Sequence, residues 1–291
     1  MKKILSLLAL IALVATGCSN SDDAEPTGVM APVKVHVTGF SVEQSEIPAT
    51  KATQAIADYA GIKAMTLAFY DASGALKYSS TQLRADATTY TTFGDFSLNL
   101  AFGSYKMVVM AYGSEVPVVL NSMTDVSFGE DKSRETFTYT QDVTINDATP
   151  VNLTAVLNRI VARLTIMSLD ARPESATNIR VTFAKGGKSF NPITGFATTD
   201  TGFINLIVPN TAVGETTGSL TNFFLASDEE TMDVTIETLD ASSNVLFTTT
   251  VPDVPFKRNR ATILTGYIYS AASTASFTVE TSYEPALHIN F

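Results

Sequence analysis

The side chains best suited to chemistry are few and scattered along this chain of 291 residues. Its two histidines, His36 and His288, occupy alternating positions of strand-like segments that lie far apart in sequence. Cys18 is the only cysteine, so no cluster of Cys and His has the spacing of a metal site. We therefore predict no metal, no cofactor and no catalytic role for either histidine.

Carboxylate pairs occur at Asp22–Asp23, Glu130–Asp131 and Glu229–Glu230, all in polar, loop-like sequence. A glycosidase needs two carboxylates that face each other across a cleft, and the sequence leaves that arrangement open. Trp is absent, although Tyr and Phe can also serve as platforms for sugars. The stretch "AKGGKSFN" lacks the phosphate-loop pattern and is predicted to be a hairpin turn, and no nucleophile-elbow motif occurs. These features predict a protein that is not an enzyme.

The composition is that of a β-rich globular protein. Apolar residues make up 45% of the chain and charged residues 16%, and Val, Ile, Phe, Tyr and Thr recur in short runs. Strand-like runs separated by turn signals about every 8–12 residues predict β-sandwiches. The net charge of −10, which becomes −12 without Lys2 and Lys3, argues against nucleic acid as a partner.

The first residues, "MKKILSLLALIALVATGC", combine a basic start with an apolar stretch and small residues before Cys18. This pattern predicts a secretory signal peptide over residues 1–17. The small residues beside Cys18 resemble a bacterial lipobox, which implies that this cysteine is acylated and anchors the chain to a membrane. Residues 18–32 then form a tether, and its acidic "SNSDDAEPTG" resembles the signal that sends Bacteroidetes lipoproteins to the outer face of the outer membrane.

We predict two sandwich domains, 33–155 and 156–291, because "TLAFYDASGALKYSS" in the first half is echoed by "TIETLDASSNVLFTT" in the second. The second series opens with "LNRIVARLTIMSL", whose β-branched residues favour a strand over a helix. Alternation predicts that Ile160, Ala162, Leu164 and Ile166 face inward and that Arg159, Arg163 and Thr165 face outward. The earlier segment "EIPATKATQAIADYAG" is open to a short helix or a loop.

Three segments, in this order, resemble the fimbrillin and fimbrial-anchor lipoproteins of Bacteroidales, which build type V pili. They are "LNLAFGSYKMVVMAYG", with Gly103 and Tyr105; "LNRIVARLTIMSL", with Arg159, Ala162, Arg163 and Leu164; and "VPFKRNRATILTGYIYS", with Arg258, Asn259, Thr262, Thr265 and Gly266. The resemblance implies two tandem transthyretin-like β-sandwich domains. It also implies a role in building or anchoring surface pili, with other pilin subunits and a host or bacterial surface ligand as partners.

The resemblance further implies assembly by strand exchange, in which a strand of one subunit completes the sheet of another. In polymerising members a protease removes an N-terminal strand by cutting after an arginine. This chain has no arginine between Cys18 and Arg84, and "EIPATKATQAI" offers only Lys51 as a processing site. The departure favours an anchor or accessory subunit that keeps its lipid, while cleavage at Lys51 stays open.

The chain ends with "SFTVETSYEPALHINF", in which apolar and polar residues alternate as they do in a long strand. Residues 277–283 can form the last strand of the second domain, ended by Pro285, or the whole segment can be donated to a partner. The candidate residues for strand exchange are Phe277, Val279, Leu287, Ile289 and Phe291.

Two other functional classes stay open from the sequence. A surface glycan-binding lipoprotein of a nutrient-uptake system would share the signal peptide, the acidic tether and the tandem sandwiches. A lipoprotein hydrolase would need a paired-carboxylate cleft. The leading hypothesis is a fimbrial subunit at the cell surface, anchored by lipid in the outer membrane.

Overall fold

A computed structural model describes residues 28–43, 51–56, 59–130, 132–209, 211–216, 218–270 and 278–282. Within these ranges the regular structure is all strand, without an α-helix, which confirms the all-β prediction. The strands are β1 Met30–Glu43, β2 Lys51–Gln54, β3 Ala64–Asp71, β4 Leu76–Leu83, β5 Asp95–Ala101, β6 Gly103–Tyr112, β7 Val118–Ser122, β8 Asp125–Phe128, β9 Thr136–Ile145, β10 Val151–Arg159, β11 Ala162–Ser168, β12 Asn178–Phe183, β13 Phe190–Asn191, β14 Phe196–Ala197, β15 Phe203–Ile207, β16 Gly218–Phe223, β17 Glu229–Leu239, β18 Val245–Lys257, β19 Ala261–Gly266 and β20 Thr278–Ser282.

The N-terminal strands form one large sheet in the order β2-β1-β10-β9-β6-β3-β4, with β5 paired to β1. Strand β1 runs parallel to β10. The other edge of β1 pairs with β5 along its first half and with β2 along its second half. The sheet folds around a core to which β1, β3, β5, β6, β9 and β10 all contribute side chains.

The C-terminal strands form two four-stranded sheets, β16-β11-β19-β20 and β15-β12-β17-β18. Alternate residues of β11, β12 and β17 enter the core between them, as period-2 patterning requires. The fold is therefore a β-sandwich in this part of the chain.

A third core joins the two halves. Strands β3 and β6 are buried on both faces, because their outer face is covered by the sheet β14-β13-β8-β7. That sheet combines β7–β8 from the N-terminal half with β13–β14 from the C-terminal half, through the pairing of Val126 with Phe190. Phe128, Phe190 and Phe224 pack together there, and the rings of Phe190 and Phe224 stack at 4.6 Å.

The structure refines two local predictions. The segment "EIPATKATQAIADYAG" is expected to form a short helix or a loop, but its residues Lys51–Gln54 form strand β2. The predicted strand through "LNRIVARLTIMSL" is interrupted at residues 160–161, between β10 and β11. The predicted boundary at 155/156 falls inside β10, and the division into two domains stays a prediction.

Candidate functional site

Strand β1 is the element that strand exchange would involve, and it lies in the middle of a sheet. Alternating side chains make it amphipathic: Val33, Val35 and Val37 are at most 1% exposed, whereas Lys34 and His36 face solvent. The buried valines pack in the N-terminal core with Phe96 and Leu100 of β5 and Ala155 and Leu157 of β10. The strand therefore fills a groove with one apolar face, which is the pattern of a complementing strand.

The backbone of β1 is paired on both edges. Residues from Val33 to Ser41 pair in parallel with residues 151–158 of β10, and residues 30–36 pair antiparallel with β5. Loss of β1 would leave two strand edges with unpaired N–H and C=O groups on either side of an apolar slot. A foreign strand of matching alternation could occupy that slot.

Lys51, the predicted processing residue, is the first residue of β2 and pairs with Glu43 at the end of β1. A cut after Lys51 would therefore separate all of β1 from the rest of the sheet. The predicted lipidation residue, Cys18, lies outside the described residues.

At the other end of the chain, Thr278–Ser282 pairs antiparallel with β19, and Val279 is opposite Leu264. Strand β20 is thus held by its own chain, and within the described residues no strand pairs with its other edge. Of the five candidate residues for exchange, Phe277, Leu287, Ile289 and Phe291 lie outside the described residues. Their role stays a prediction.

The predicted outward positions of Arg159 and Arg163 are wrong, because both residues are 8% exposed. They meet Glu135, which precedes β9, and Tyr59 at the junction of the two halves. Arg159 Nη2 lies 2.9 Å from Glu135 Oε1 and donates to Tyr59 Oη at 2.6 Å, while Arg163 Nη2 lies 3.6 Å from the same carboxylate oxygen. Strand alternation predicted that the two arginines face solvent. It could not predict the contact with Glu135, which comes from another part of the chain.

The protonation of this cluster follows from its burial. Loss of water raises the pKa of Tyr59 well above its usual value, and the nearby Glu135 carboxylate raises it further against the opposing charge of Arg159. The hydroxyl therefore stays protonated and donates to Glu135 Oε1 at 2.5 Å. Burial lowers the pKa of Arg163, and the Glu135 charge opposes that change. The cluster binds the two halves together and offers no free acid or base.

The histidines and the possible metal ligands among the described residues do not lie together in one site. His36 pairs with Asp95 on an exposed strand face, and His288 lies outside the described residues. Among the described residues, no group of three or more His, Cys, Asp or Glu side chains could hold a metal ion. A helix with the length and apolarity to cross a membrane does not occur in this part of the chain.

Comparison with known families gives a match over residues 31–287, which is most of the chain, to a family of unknown function, DUF6562. The chain belongs to this family. No curated protein matches this DUF6562 chain in sequence.

Solved structures are similar to the DUF6562 chain at low sequence identity. A candidate polysaccharide-binding protein (DUF1812) from Bacteroides thetaiotaomicron is 11% identical with a TM-score of 0.50, over 87% of this chain and 99% of that one. A candidate adhesin from Bacteroides ovatus is 9% identical with a TM-score of 0.49, over 86% and 95%. The fimbrial anchor protein Mfa2 from Porphyromonas gingivalis is 13% identical with a TM-score of 0.47, over 88% and 98%. At 11% identity and a TM-score of 0.50, the likeness to the first of these structures concerns the fold alone.

Proposed function

We propose that this DUF6562 chain is a non-enzymatic subunit of a fimbrial or adhesive structure at the cell surface. It is anchored in the outer membrane by lipid on Cys18, and it joins other pilin subunits through β-strand exchange. Nucleic acid has no part in this function, and no cofactor is needed. The anchor or accessory position is favoured because the chain has no arginine before Arg84 at which β1 could be released.

The observation that carries this proposal is the place of β1. A 14-residue N-terminal strand with one buried apolar face lies between β10 on one edge and β5 and β2 on the other, and among the described strands β5 and β2 pair only with it. The sequence resemblance to fimbrillin and fimbrial-anchor lipoproteins supports the same function. So does the amphipathic C-terminal segment, whose pattern matches the alternation that the groove requires.

Strand exchange is tested by replacing residues 44–50 with a specific protease site and cutting the purified chain there. A labelled peptide of residues 276–291 is then added after β1 is released with mild denaturant and the mixture is refolded. We expect the peptide to co-elute with the cut protein. A peptide in which Leu287, Ile289 and Phe291 are all serine should not co-elute, since it has no side chains to fill the slot.

Equal retention of the two peptides, or retention of neither, contradicts exchange through this groove. The anchor position is tested separately by the N-terminal mass of the mature protein recovered from the cell surface. An acylated Cys18 supports the anchor or accessory subunit, whereas an N-terminus after Lys51 shows that β1 is shed.

A further inference from the structure

A polar cleft lies at the junction of the two halves, apart from the β1 groove. Its volume is about 730 Å³, within the range of clefts that hold small molecules. Its floor comes from β1, β9 and β10, and its opposite wall comes from residues 192–195, 228–229 and 257–259. The two sides are brought together only by the tertiary fold.

The floor carries hydrogen-bonding groups in register on neighbouring strands. Ser41 of β1 is opposite Asn158 of β10, and Asn158 is opposite Thr138 of β9, so the three residues share one face. Thr140 follows on that face two residues further along β9. No hydrogen bond from these four side chains to another described residue is present. Thr138 is only 6% exposed, whereas Ser41, Thr140 and Asn158 are accessible to a ligand.

The opposite wall is braced by contacts within the protein. Arg258 Nη2 lies 2.5 Å from Asp228 Oδ1, and Arg258 Nη1 donates to the carbonyl of Thr194 at 3.1 Å. Asn259 has a positive φ of 61°, and its Oδ1 accepts a hydrogen bond from Arg159 Nη1 at 3.3 Å. This wall is preformed, which reduces the ordering cost of binding.

The cations that line the cleft all contact carboxylates. Three cations line it, and each has a carboxylate partner: Arg159 pairs with Glu135, Lys257 with Glu229 and Arg258 with Asp228. An anionic ligand would have to compete with these carboxylates, and an apolar ligand would leave the hydroxyls and amides without partners. A neutral ligand rich in hydroxyl groups meets both conditions.

We propose that this cleft binds a segment of a neutral oligosaccharide. The hydroxyls of Ser41 and Thr140 and the amide of Asn158 exchange hydrogen bonds with the sugar hydroxyls. This activity goes beyond strand exchange, because it uses the outer face of the sheet and leaves the β1 groove filled.

The test uses the full mature chain and two sets of oligosaccharides, one neutral (gluco-, manno-, galacto- and N-acetylglucosamine) and one of uronate and sulfated glycans. Binding is measured by calorimetry and located by NMR chemical-shift changes. We expect at least one of the neutral sugars to bind and to shift the signals of Asn158 and Thr140. The double variant Asn158→Ala/Thr140→Val should bind it about tenfold more weakly, since two hydrogen bonds are lost.

A matched control, Asn121→Ala/Thr248→Val, changes the same residue types at exposed positions outside the cleft and should bind like the unchanged chain. Thermal unfolding of both variants shows whether the fold is retained. The proposal is overturned if none of the neutral sugars binds at millimolar concentration, if only uronate or sulfated glycans bind, or if the shifted signals lie elsewhere. Equal affinity of the unchanged chain and the cleft variant also overturns it.

Discussion

Glu135 lies between two guanidinium groups that the fold has nearly removed from water. Desolvation of such charges costs several kcal/mol, and the cost is recovered only while every partner is in place. Arg159 is also stacked over the ring of Phe137 at 5.1 Å, so its position is fixed by packing as well as by charge. The loss of Glu135 therefore leaves Arg159 buried without this carboxylate.

The first prediction concerns this carboxylate. Glu135→Gln keeps the shape of the side chain but removes the counter-charge that contacts the buried Arg159, so we expect the free energy of unfolding to fall by about 3–5 kcal/mol. Urea unfolding measures the change. As a control, Asp142→Asn removes the partner of Lys106, and it should have little effect because the Asp142 side chain is 81% exposed. Equal losses in the two variants would argue against a structural role for the buried cluster.

The second prediction concerns pH. Burial alone would raise the pKa of Asp170, but hydrogen bonds from the N–H groups of Ile268 and Tyr269 and from the Ser168 and Ser270 hydroxyls hold this pKa below its ordinary 3.8. Because the folded pKa is the lower one, the stabilisation is fully present above about pH 4 and is lost as the pH falls through the folded value.

Asp170→Asn should therefore destabilise the protein at pH 7 and show a smaller difference from the unchanged chain at pH 3. Urea midpoints at the two pH values measure this effect. A constant difference between the two proteins across this range would mean that the carboxylate charge is not what holds the end of β19.

At the scale of elements, β1 is held by one apolar face and two paired edges. Val35 is 1% exposed in the core, whereas the adjacent Lys34 points to solvent. A partner's strand with the same alternation could replace β1, because every second side chain of such a strand packs into the groove.

The third prediction follows from this alternation. Val35→Ala removes two buried methyl groups and leaves a cavity, so we expect the free energy of unfolding to fall by roughly 2–3 kcal/mol. Lys34→Ala, one residue away on the exposed face, should change it little. Chemical denaturation measures the free energy of unfolding of the two variants. A larger loss in Lys34→Ala than in Val35→Ala would show that β1 does not pack as described.

The fourth prediction concerns the turn that precedes β15. Gly202 has a φ of +73°, and a Cβ placed there would lie 2.4 Å from the carbonyl oxygen of Phe183. Gly202→Ala should cost about 1–3 kcal/mol, because the strained backbone and the clash both act against the pairing of β12 with β15. Gly28→Ala has open space around it and serves as the control. A thermal midpoint unchanged by Gly202→Ala contradicts the described turn.

At the scale of the molecule, the two halves share a core and an ionic cluster. The sheet β14-β13-β8-β7 draws strands from both halves, and Phe224 from the C-terminal half packs against Phe128 and Phe190 within it. Glu135, which precedes β9, and Arg163 of β11 add a charged contact near the same junction. The halves are therefore expected to unfold together.

The fifth prediction is a single calorimetric unfolding transition for the unchanged chain. Phe224→Ala opens a cavity at the fully buried junction, and it should lower the free energy of unfolding by about 3–5 kcal/mol and separate the transition into two. The control Leu246→Ala lies on an exposed position of β18 and should leave one transition. Two transitions in the unchanged chain would contradict this coupling.

Much of the fold could be predicted from the sequence, because period-2 alternation and turn residues are local signals. They predicted the all-β class and the burial of Ile160, Ala162, Leu164 and Ile166. They did not reveal that Ile160 belongs to the junction core while the other three belong to the C-terminal core. That assignment depends on the interruption between β10 and β11.

The sequence by itself determined the class of the protein, its amphipathic strands and the absence of a metal-site pattern, since these depend on residue types and short spacings. Only the tertiary structure decided which polar faces are covered. Arg159 and Arg163 look solvent-facing along their strands, and they are buried because Tyr59 and Glu135 arrive from distant parts of the chain. The same holds for the polar cleft, whose two walls come from separate halves. Contacts between residues far apart in sequence leave no local signal.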